Sequence, residues 1–260
     1  MSLYVLPWGL LILLFGPTWE SFNEAYKKKR RKQKNSEQQI SLFNSPKNCP
    51  HKKIGMTLVH DQYIYDIIIG SLLGDGYGEK RNLATRIHIC MNSPNVEYLM
   101  ALHKFLSFYG YCSSLKPRIK TYIGKSNKVI FSVKYRTYSY TTFSSIYDLF
   151  YPLQMSAILG SNKKQIPKNI KTLLSPLVLA ILLMNNGTKT SLGLKLACQS
   201  LNCSDVEKLC FAINLVFNLS STLIPARFNA LYINFPKKDL DRLKFIVEPH
   251  FVPSMLYIFN

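Results

Sequence analysis

Acidic residues are scarce in this chain, and its cysteines and histidines form no metal-binding pattern. Only 14 acids stand against 33 lysines and arginines, which gives a formal net charge of +19 over 260 residues. The six cysteines include no CxxC pair, and the five histidines do not fall at zinc-ligand spacing. This spacing argues against a zinc module, and we interpret the thiols as reduced and mostly buried.

The apolar run near the N-terminus is shorter than a membrane span. It extends from Leu3 to Phe15, contains Pro7 and Gly9 within its 13 residues, and has no basic residue before it. A spanning helix needs about 20 apolar residues. An anchor, a signal segment and an accident of sequence therefore remain open explanations.

Positive charge is distributed over the whole chain. Residues 1–60 hold 10 cations and 3 acids, which leaves 23 cations and 11 acids, or +12, for the other 200 residues. This excess is far beyond what solubility requires and predicts a polyanionic partner. With 47% hydrophobic residues the composition is globular, and the length suffices for one large domain or two closely packed halves.

The densest basic segment lies close to the N-terminus. From Lys27 to Lys34, seven of eight residues are cationic, and polar residues follow up to about Ser45. Because this composition cannot bury a core, we expect a disordered linker that contacts phosphates without sequence preference. A merely solvated tail is an equally open alternative.

One apolar stretch ends on a single acid that has a glycine on either side. It spans Ile67–Gly76 and carries Asp75 in its last turn. Gly70, Ser71 and Gly74 share one face at helical spacing, which would let a second helix approach backbone to backbone. A core helix with a C-cap glycine explains the pattern equally well from spacing alone.

A second copy of this pattern occurs at Leu179–Gly187, where Asn186 stands at the position of Asp75, 111 residues further on. Another pair of similar segments, Val96–Leu99 and Val206–Leu209, is separated by 110 residues. Two matches at nearly one offset indicate a duplicated domain.

Both stretches resemble the signature helices of the LAGLIDADG homing endonucleases, and the similarity extends from about Tyr63 to the C-terminus. It includes Phe143–Pro152, Lys163–Ile170 and Pro249–Tyr257, in an order and spacing that together are specific. The resemblance implies an α+β fold of two αββαββα repeats about a pseudo-twofold axis, with a saddle-shaped antiparallel sheet that binds DNA. We expect a disordered extension at 1–56 and repeats at 57–158 and 159–260, with a linker at about 159–171.

Several elements can be predicted inside the repeats. Their predicted bounds are a strand at 86–90, helices at 95–108 and 142–150, strands near 116–122 and 128–136, a strand at 192–196, a helix at 204–217, strands at 223–228 and 231–235, and a helix at 238–246.

Two of these strands combine a basic face with an apolar one. In the strand at 128–136, Lys134 and Arg136 share a face, which we call the first front, while Val133 and Tyr135 point the other way. A solvated sheet also alternates, but a front with almost no acids favours contact with nucleic acid. The expected DNA-binding residues of the first front are Arg86, His88, Lys116, Arg118, Lys120, Lys128, Lys134 and Arg136.

The corresponding face of the second repeat, the second front, is polar but less basic. Amides and hydroxyls suit base edges, whereas lysines suit phosphates. The residues expected there are Ser191, Lys195, Gln199, Arg227, Asn229, Tyr232 and Asn234.

The resemblance also implies which residues would cut a phosphodiester bond. Paired divalent metals stabilise the charge that develops in such a reaction, and Mg²⁺ accepts a single carboxylate plus waters. Asp75 would be the catalytic metal ligand with Gly74 beside it, and Lys164 would polarise the attacking water or stabilise charge. At the second centre Asn186 is a degenerate ligand without charge, and Ile258 stands where the family has a lysine.

Three functions stay open. The first, which we favour, is an intron-encoded, site-specific double-stranded DNA endonuclease that uses Mg²⁺ or another divalent cation and makes either a nick or a slow double-strand break. The second is an RNA-binding maturase that assists splicing of a group I intron without cutting DNA, and the third is a decayed enzyme that still folds. We expect a monomer. The composition is typical of an AT-rich gene, and together with the resemblance this implies a gene in a mitochondrion or chloroplast. The apolar N-terminal run would then be exon-derived.

Overall fold

A computed structural model of the chain describes residues 62–93, 96–124, 127–152, 164–198, 201–226 and 230–260. All of these belong to one compact unit that begins at His60. None of the helices within these ranges has the length and hydropathy needed to cross a membrane. The predictions for the apolar run, the basic segment and the extension at 1–56 lie outside the described residues.

Two successive series of elements follow the same αββαββα order. The first series consists of α1 (Gln62–Leu73), β1 (Tyr77–Arg81), β2 (Ala84–Ser93), α2 (Val96–Phe108), β3 (Ile119–Ile123), β4 (Val129–Arg136) and α3 (Thr142–Phe150). After the short helix α4 (Ile170–Leu173), the second consists of α5 (Pro176–Asn186), β5 (Gly187–Thr190), β6 (Gly193–Ala197), α6 (Cys203–Phe217), β7 (Thr222–Pro225), β8 (Leu231–Pro236) and α7 (Leu240–Val247). The predicted α+β class and repeat order are confirmed, while the repeat boundaries at 57–158 and 159–260 stay a prediction.

Each series contributes one four-stranded antiparallel sheet, ordered β1-β2-β4-β3 in the first and β5-β6-β8-β7 in the second. Side chains alternate across each strand. In β2, Ile87 and Ile89 are almost fully buried on the back of the sheet, and Val133 of β4 lies on the same side. Helices α2 and α3 pack against this back, so the first front is the face that the helices leave uncovered.

Helices α1 and α5 pack along each other and join the two series. Gly70 lies against Ile181 so closely that an added Cβ would come within 2.8 Å of the Ile181 Cβ. Both helices are buried along nearly their whole length. The small residues predicted to permit a close approach of two helices therefore do lie at the contact.

The N-terminal ends of this helix pair are joined by a buried acid. Ser175, the N-cap of α5, accepts a hydrogen bond from the Val178 N–H at 3.2 Å and donates one to Asp66 Oδ2 at 2.5 Å. Gln62 Nε2 donates to the other oxygen of Asp66 at 2.7 Å. The carboxylate also lies where the dipole of α5 favours negative charge.

Most predicted elements agree with the structure to within two or three residues, and α3 agrees at both ends. One strand begins later than predicted: β3 starts at Ile119, so Lys116 and Arg118 lie before it. Pro117 separates them and has no N–H to donate to a sheet ladder. Lys128 likewise precedes β4.

Candidate catalytic centre and nucleic-acid interface

The C-terminal ends of α1 and α5 bring Asp75 and Asn186 together. Asn186 is the last residue of α5, and its Nδ2 lies 3.5 Å from Asp75 Oδ1. An added Cβ on Gly74 would come 2.9 Å from Asn186 Oδ1, so glycine lets the two ends meet. The two residues that the repeat places at equivalent positions are adjacent.

Lys164 reaches the same place from the segment that precedes α4. Its Nζ donates to the Gly74 carbonyl at 2.6 Å and to the Gly76 carbonyl at 3.1 Å. Burial lowers the pKa of Lys164 to about 8, while the charge of Asp75 acts in the opposite direction. The expected acid and lysine of the first centre therefore lie together, because Lys164 binds backbone carbonyls on both sides of Asp75 just after α1.

Cys90 is a member of this centre that sequence reasoning missed. It lies on the first front, paired with Lys134 across β2 and β4. Burial raises the pKa of its thiol, and Asp75, Lys134 and Lys164 are all close enough to influence it. Because Cys90 lies two residues after His88 in the predicted strand, the sequence could have placed both on the first front. Through Cys90 the centre is continuous with the first front.

Ile258, which stands where the family resemblance implies a second lysine, is packed in the core. Ile258 is only 1% exposed, in the 3-10 turn Pro253–Ile258. Val252, just before that turn, donates its N–H to the sulfur of Met184 at 3.5 Å. Asn185 accepts a hydrogen bond from the buried Tyr98 hydroxyl at 2.5 Å. The side chains around the end of α5 thus connect helices.

The donor set at the helix ends fits one weakly held divalent cation. Asp75 is exposed and supplies one carboxylate, and the buried Asn186 Oδ1 has no hydrogen-bond partner within the described chain. The Gly74 carbonyl already accepts from Lys164. Over the ranges that the structure covers, no cluster of three His, Cys, Asp or Glu side chains could hold a metal. Mg²⁺ tolerates so few protein ligands because water completes its shell.

The first front carries exposed cations beside an aromatic stack. Lys134 and Arg136 are exposed, and Lys134 Nζ lies 5.1 Å from the centroid of the Tyr77 ring. That ring stacks on His88 at 4.6 Å between centroids. Glu79, which the sequence analysis did not place there, lies on the same face opposite Arg86. A basic front is present, but it includes an acid.

The predicted apolar back does not extend to the edge strand. In β3, Lys120 and Tyr122 are exposed on the front, but Thr121 and Ile123 are also exposed on the opposite side. The cations predicted beside this strand, Lys116, Arg118 and Lys128, are exposed as well. The prediction of an apolar back was wrong at β3, because the strand lies at the sheet edge where packing on one side is lost.

The second front is only partly described. Lys195 Nζ lies 4.2 Å from the centroid of the Tyr232 ring, and Lys195 pairs with Asn234 across β6 and β8. Asn234 is only 8% exposed, and Ser191 is exposed in the turn before β6. The predicted residues Gln199, Arg227 and Asn229 lie outside the described residues.

Comparison with known proteins identifies relatives over most of the described chain. The cytochrome b mRNA maturase bI2 of Saccharomyces cerevisiae is 37% identical over 198 residues, which are 75% of this chain and 46% of that protein. The protein of the same name from Debaryomyces hansenii is 31% identical over 200 residues, 76% of this chain and 73% of its own length. The chain thus spans about half the length of the first of these relatives.

A solved structure shows the same fold. The homing endonuclease I-WcaI bound to its DNA recognition sequence aligns with a TM-score of 0.66 and 22% identity, covering 86% of this chain and 96% of that one. The family model described as the LAGLIDADG DNA endonuclease family matches residues 65–243. Since that range is well over half of the sequence and includes both helix ends at the centre, the chain belongs to the LAGLIDADG DNA endonuclease family.

Proposed function

We propose that the protein is an intron-encoded maturase that binds the RNA of a group I intron and assists its splicing. The observation that carries the proposal is the neutral Asn186 beside Asp75, where the resemblance implies a second acid. Ile258, where the resemblance implies a lysine, is buried. A protein selected to cut both strands needs an acid for each, whereas a protein selected to bind needs only its cations. The names of the two maturase relatives support the same function.

A second function, nicking of one DNA strand, is favoured by the first centre. Asp75 would hold the cation at the end of α1 with the Asn186 amide oxygen and the Gly74 carbonyl near it. A divalent cation such as Mg²⁺ would supply Lewis-acid stabilisation of the scissile phosphate. Lys164 is held beside Asp75 by the Gly74 and Gly76 carbonyls, where its ammonium stabilises negative charge on the phosphate.

The cationic first front would position either nucleic acid. Lys134 and Arg136 suit phosphates, and the mixed polar side chains of the second front suit base edges. We propose a monomer, because one chain supplies both halves, and an organelle-encoded gene, most simply mitochondrial, because the relatives are named for cytochrome b. For the nicking activity the partner would be double-stranded DNA that carries the intron-insertion sequence.

Splicing of the precursor transcript in vitro, with the purified protein added, tests the first function. We expect the protein to accelerate splicing at low magnesium. The Asp75→Asn variant should do so equally well, whereas Lys134→Ala combined with Arg136→Ala should weaken RNA binding about tenfold or more, since it removes two phosphate contacts. Splicing that does not respond to the wild-type protein would rule out the maturase function.

Incubation of the protein with a supercoiled plasmid that carries the intron-insertion sequence tests the second function. Nicked circles should accumulate with Mg²⁺ and disappear with Asp75→Asn. The control is Asp241→Asn, which makes the same change on the surface of α7, far along the chain from the centre. Nicking that survives Asp75→Asn, or is absent from the wild-type protein, would contradict this function.

A further inference from the structure

The first front contains one acid that binds three of its basic side chains. Glu79 on β1 lies opposite Arg86 on β2 and accepts two parallel hydrogen bonds from it, from Nε to Oε2 at 2.7 Å and from Nη2 to Oε1 at 2.8 Å. Arg81 Nε donates to Oε1 at 2.8 Å, and His88 Nε2 lies 2.6 Å from Oε2. Both carboxylate oxygens are therefore shared among three neighbours.

Glu79 holds Arg86 more tightly than Arg81. The Arg86 side chain is only 12% exposed, whereas that of Arg81 is 56% exposed. His88 is held on its other side by stacking with Tyr77. Two-point pairing fixes the plane of a guanidinium as well as its position. Glu79 thus determines where the remaining donors of Arg86 and Arg81 point.

The charge of Glu79 is stable over the whole working range of pH. The hydrogen bonds from Arg81, Arg86 and His88 lower the pKa of its carboxyl to about 2. A permanently charged acid on a cationic front weakens the general attraction for phosphate, because it offsets part of the charge that would release counterions. A role other than adding affinity therefore accounts better for its position on this front.

We propose that Glu79 is a positioning residue, which holds Arg86, Arg81 and His88 in one arrangement and so lets the first front discriminate its own nucleic acid from others. The inference rests on the proposed function, since it requires a specific nucleic-acid partner. Side chains that are already ordered lose less conformational entropy when they bind. Only a nucleic acid whose shape matches their fixed arrangement gains from this. The corresponding position of β5 is Thr190, which carries no charge, so this device belongs to the first half alone.

Paired binding measurements test the proposal. The probes are the precursor transcript that contains the intron and a scrambled RNA of the same length, at one salt concentration. For Glu79→Gln we expect tighter binding of scrambled RNA and a fall of about tenfold in the ratio of the two affinities, the size expected for one charge-assisted contact. Glu79→Asp keeps the charge but shortens the side chain, so the ratio should fall there without a general gain in affinity.

The matched control is Glu207→Gln, the same change of charge on the exposed side of α6. It should alter both affinities equally and leave their ratio unchanged. If Glu79→Gln gives the same ratio of the two RNA affinities as Glu207→Gln, the proposal is overturned. The proposal is also overturned if Glu79→Gln lowers the melting temperature but leaves that ratio unchanged, which would show a purely structural role.

A second measurement separates this inference from the proposed function. In the protein without RNA, the Arg86 Nε–H should give a slowly exchanging NMR signal that Glu79→Gln abolishes. If the wild-type protein does not prefer the intron transcript, the maturase function fails. If it does prefer the transcript, but the Arg86 signal is unchanged in Glu79→Gln, the positioning role of Glu79 fails alone.

Discussion

The two halves share a scaffold but differ in what their functional positions contain. At the helix ends, the first half has Asp75 with Lys164 nearby, whereas the second has Asn186. Ile258, where the family resemblance implies a second lysine, is buried. On the sheets, the first front has cations paired with Glu79 and exposed cations such as Lys134, and the second has Lys195 against Tyr232. The buried helix pair needs both halves to pack, but binding and cutting put separate demands on each half. Both halves supply the buried helix of the pair, whereas the acid and the lysine at its end come from the first half and the linker before the second.

The largest expected effect comes from placing a lysine at position 258, where the family resemblance implies one. Ile258→Lys would place an amine where the side chain is 1% exposed, and a buried charge without a partner is costly. We expect the free energy of unfolding in urea to fall by about 3 kcal/mol or more. Such a loss would show that the surroundings of position 258 do not accept a charged amine, unlike the carbonyls around Lys164.

The control is Ile258→Met, which keeps the volume and should cost less than about 1.5 kcal/mol. If Ile258→Lys is as stable as this control, the turn at Pro253–Ile258 opens easily enough to accommodate a lysine. The two halves would then differ at this position only in the residue present, not in how tightly it is packed.

The sequence could predict the helix pair but not the surroundings of its ends. Two apolar stretches at one offset, with small residues on one face, predicted a helix pair, and the family resemblance implied that Asp75 and Asn186 meet at its end. Lys164 could be assigned to the centre only through the family resemblance, because its position there depends on tertiary packing. Cys90 alternates with His88 along β2, but that alternation does not show how close the thiol lies to Lys164. The Glu79 contacts depend on strand register, which the hairpin turn with Asn82 at φ 52° determines. The 3-10 turn that buries Ile258 has no periodicity from which its burial could be inferred.

The next effect concerns the helix contact that both halves share. Gly70→Val would force side-chain atoms against Ile181, whose Cβ and Cγ2 would lie 2.8 and 2.9 Å from the new Cβ. We expect a loss of about 3 kcal/mol, because overpacked backbones must move apart. In the control, Gly124→Val, the nearest atom is the flexible end of Ile130 at 2.6 Å, so the loss should be smaller. Equal melting temperatures for the two variants would show that α1 and α5 do not depend on close approach.

A smaller effect is expected at the opposite end of the same helix pair. Asp66→Ala would remove the acceptor of the Ser175 and Gln62 hydrogen bonds. Loss of hydrogen bonds to a buried charged group should cost about 2 kcal/mol, measured by urea unfolding. The control Asp241→Ala removes an exposed acid from α7 and should change stability by less than about 0.5 kcal/mol. If Asp66→Ala leaves the free energy of unfolding unchanged, the apolar contacts alone align the two helices.

The smallest effect on stability tests the difference at the centre itself. Asn186→Asp would place a second carboxylate beside Asp75, where the present amide nitrogen lies 3.5 Å from Asp75 Oδ1. Without metal, repulsion between like charges should lower stability by about 1 kcal/mol.

Millimolar Mg²⁺ should reverse that loss, because two carboxylates hold a divalent cation better than one carboxylate and an amide. We therefore expect Mg²⁺ to raise the melting temperature of Asn186→Asp more than that of the wild-type protein. The double variant Asp75→Asn with Asn186→Asp has one carboxylate again, on the other helix, and should respond like the wild type if the two helix ends are interchangeable as cation sites. A weaker response would mean that Lys164 and the Gly74 carbonyl, which only the first half supplies, decide where the cation binds. In that case the halves differ by more than the exchange of one acid for an amide.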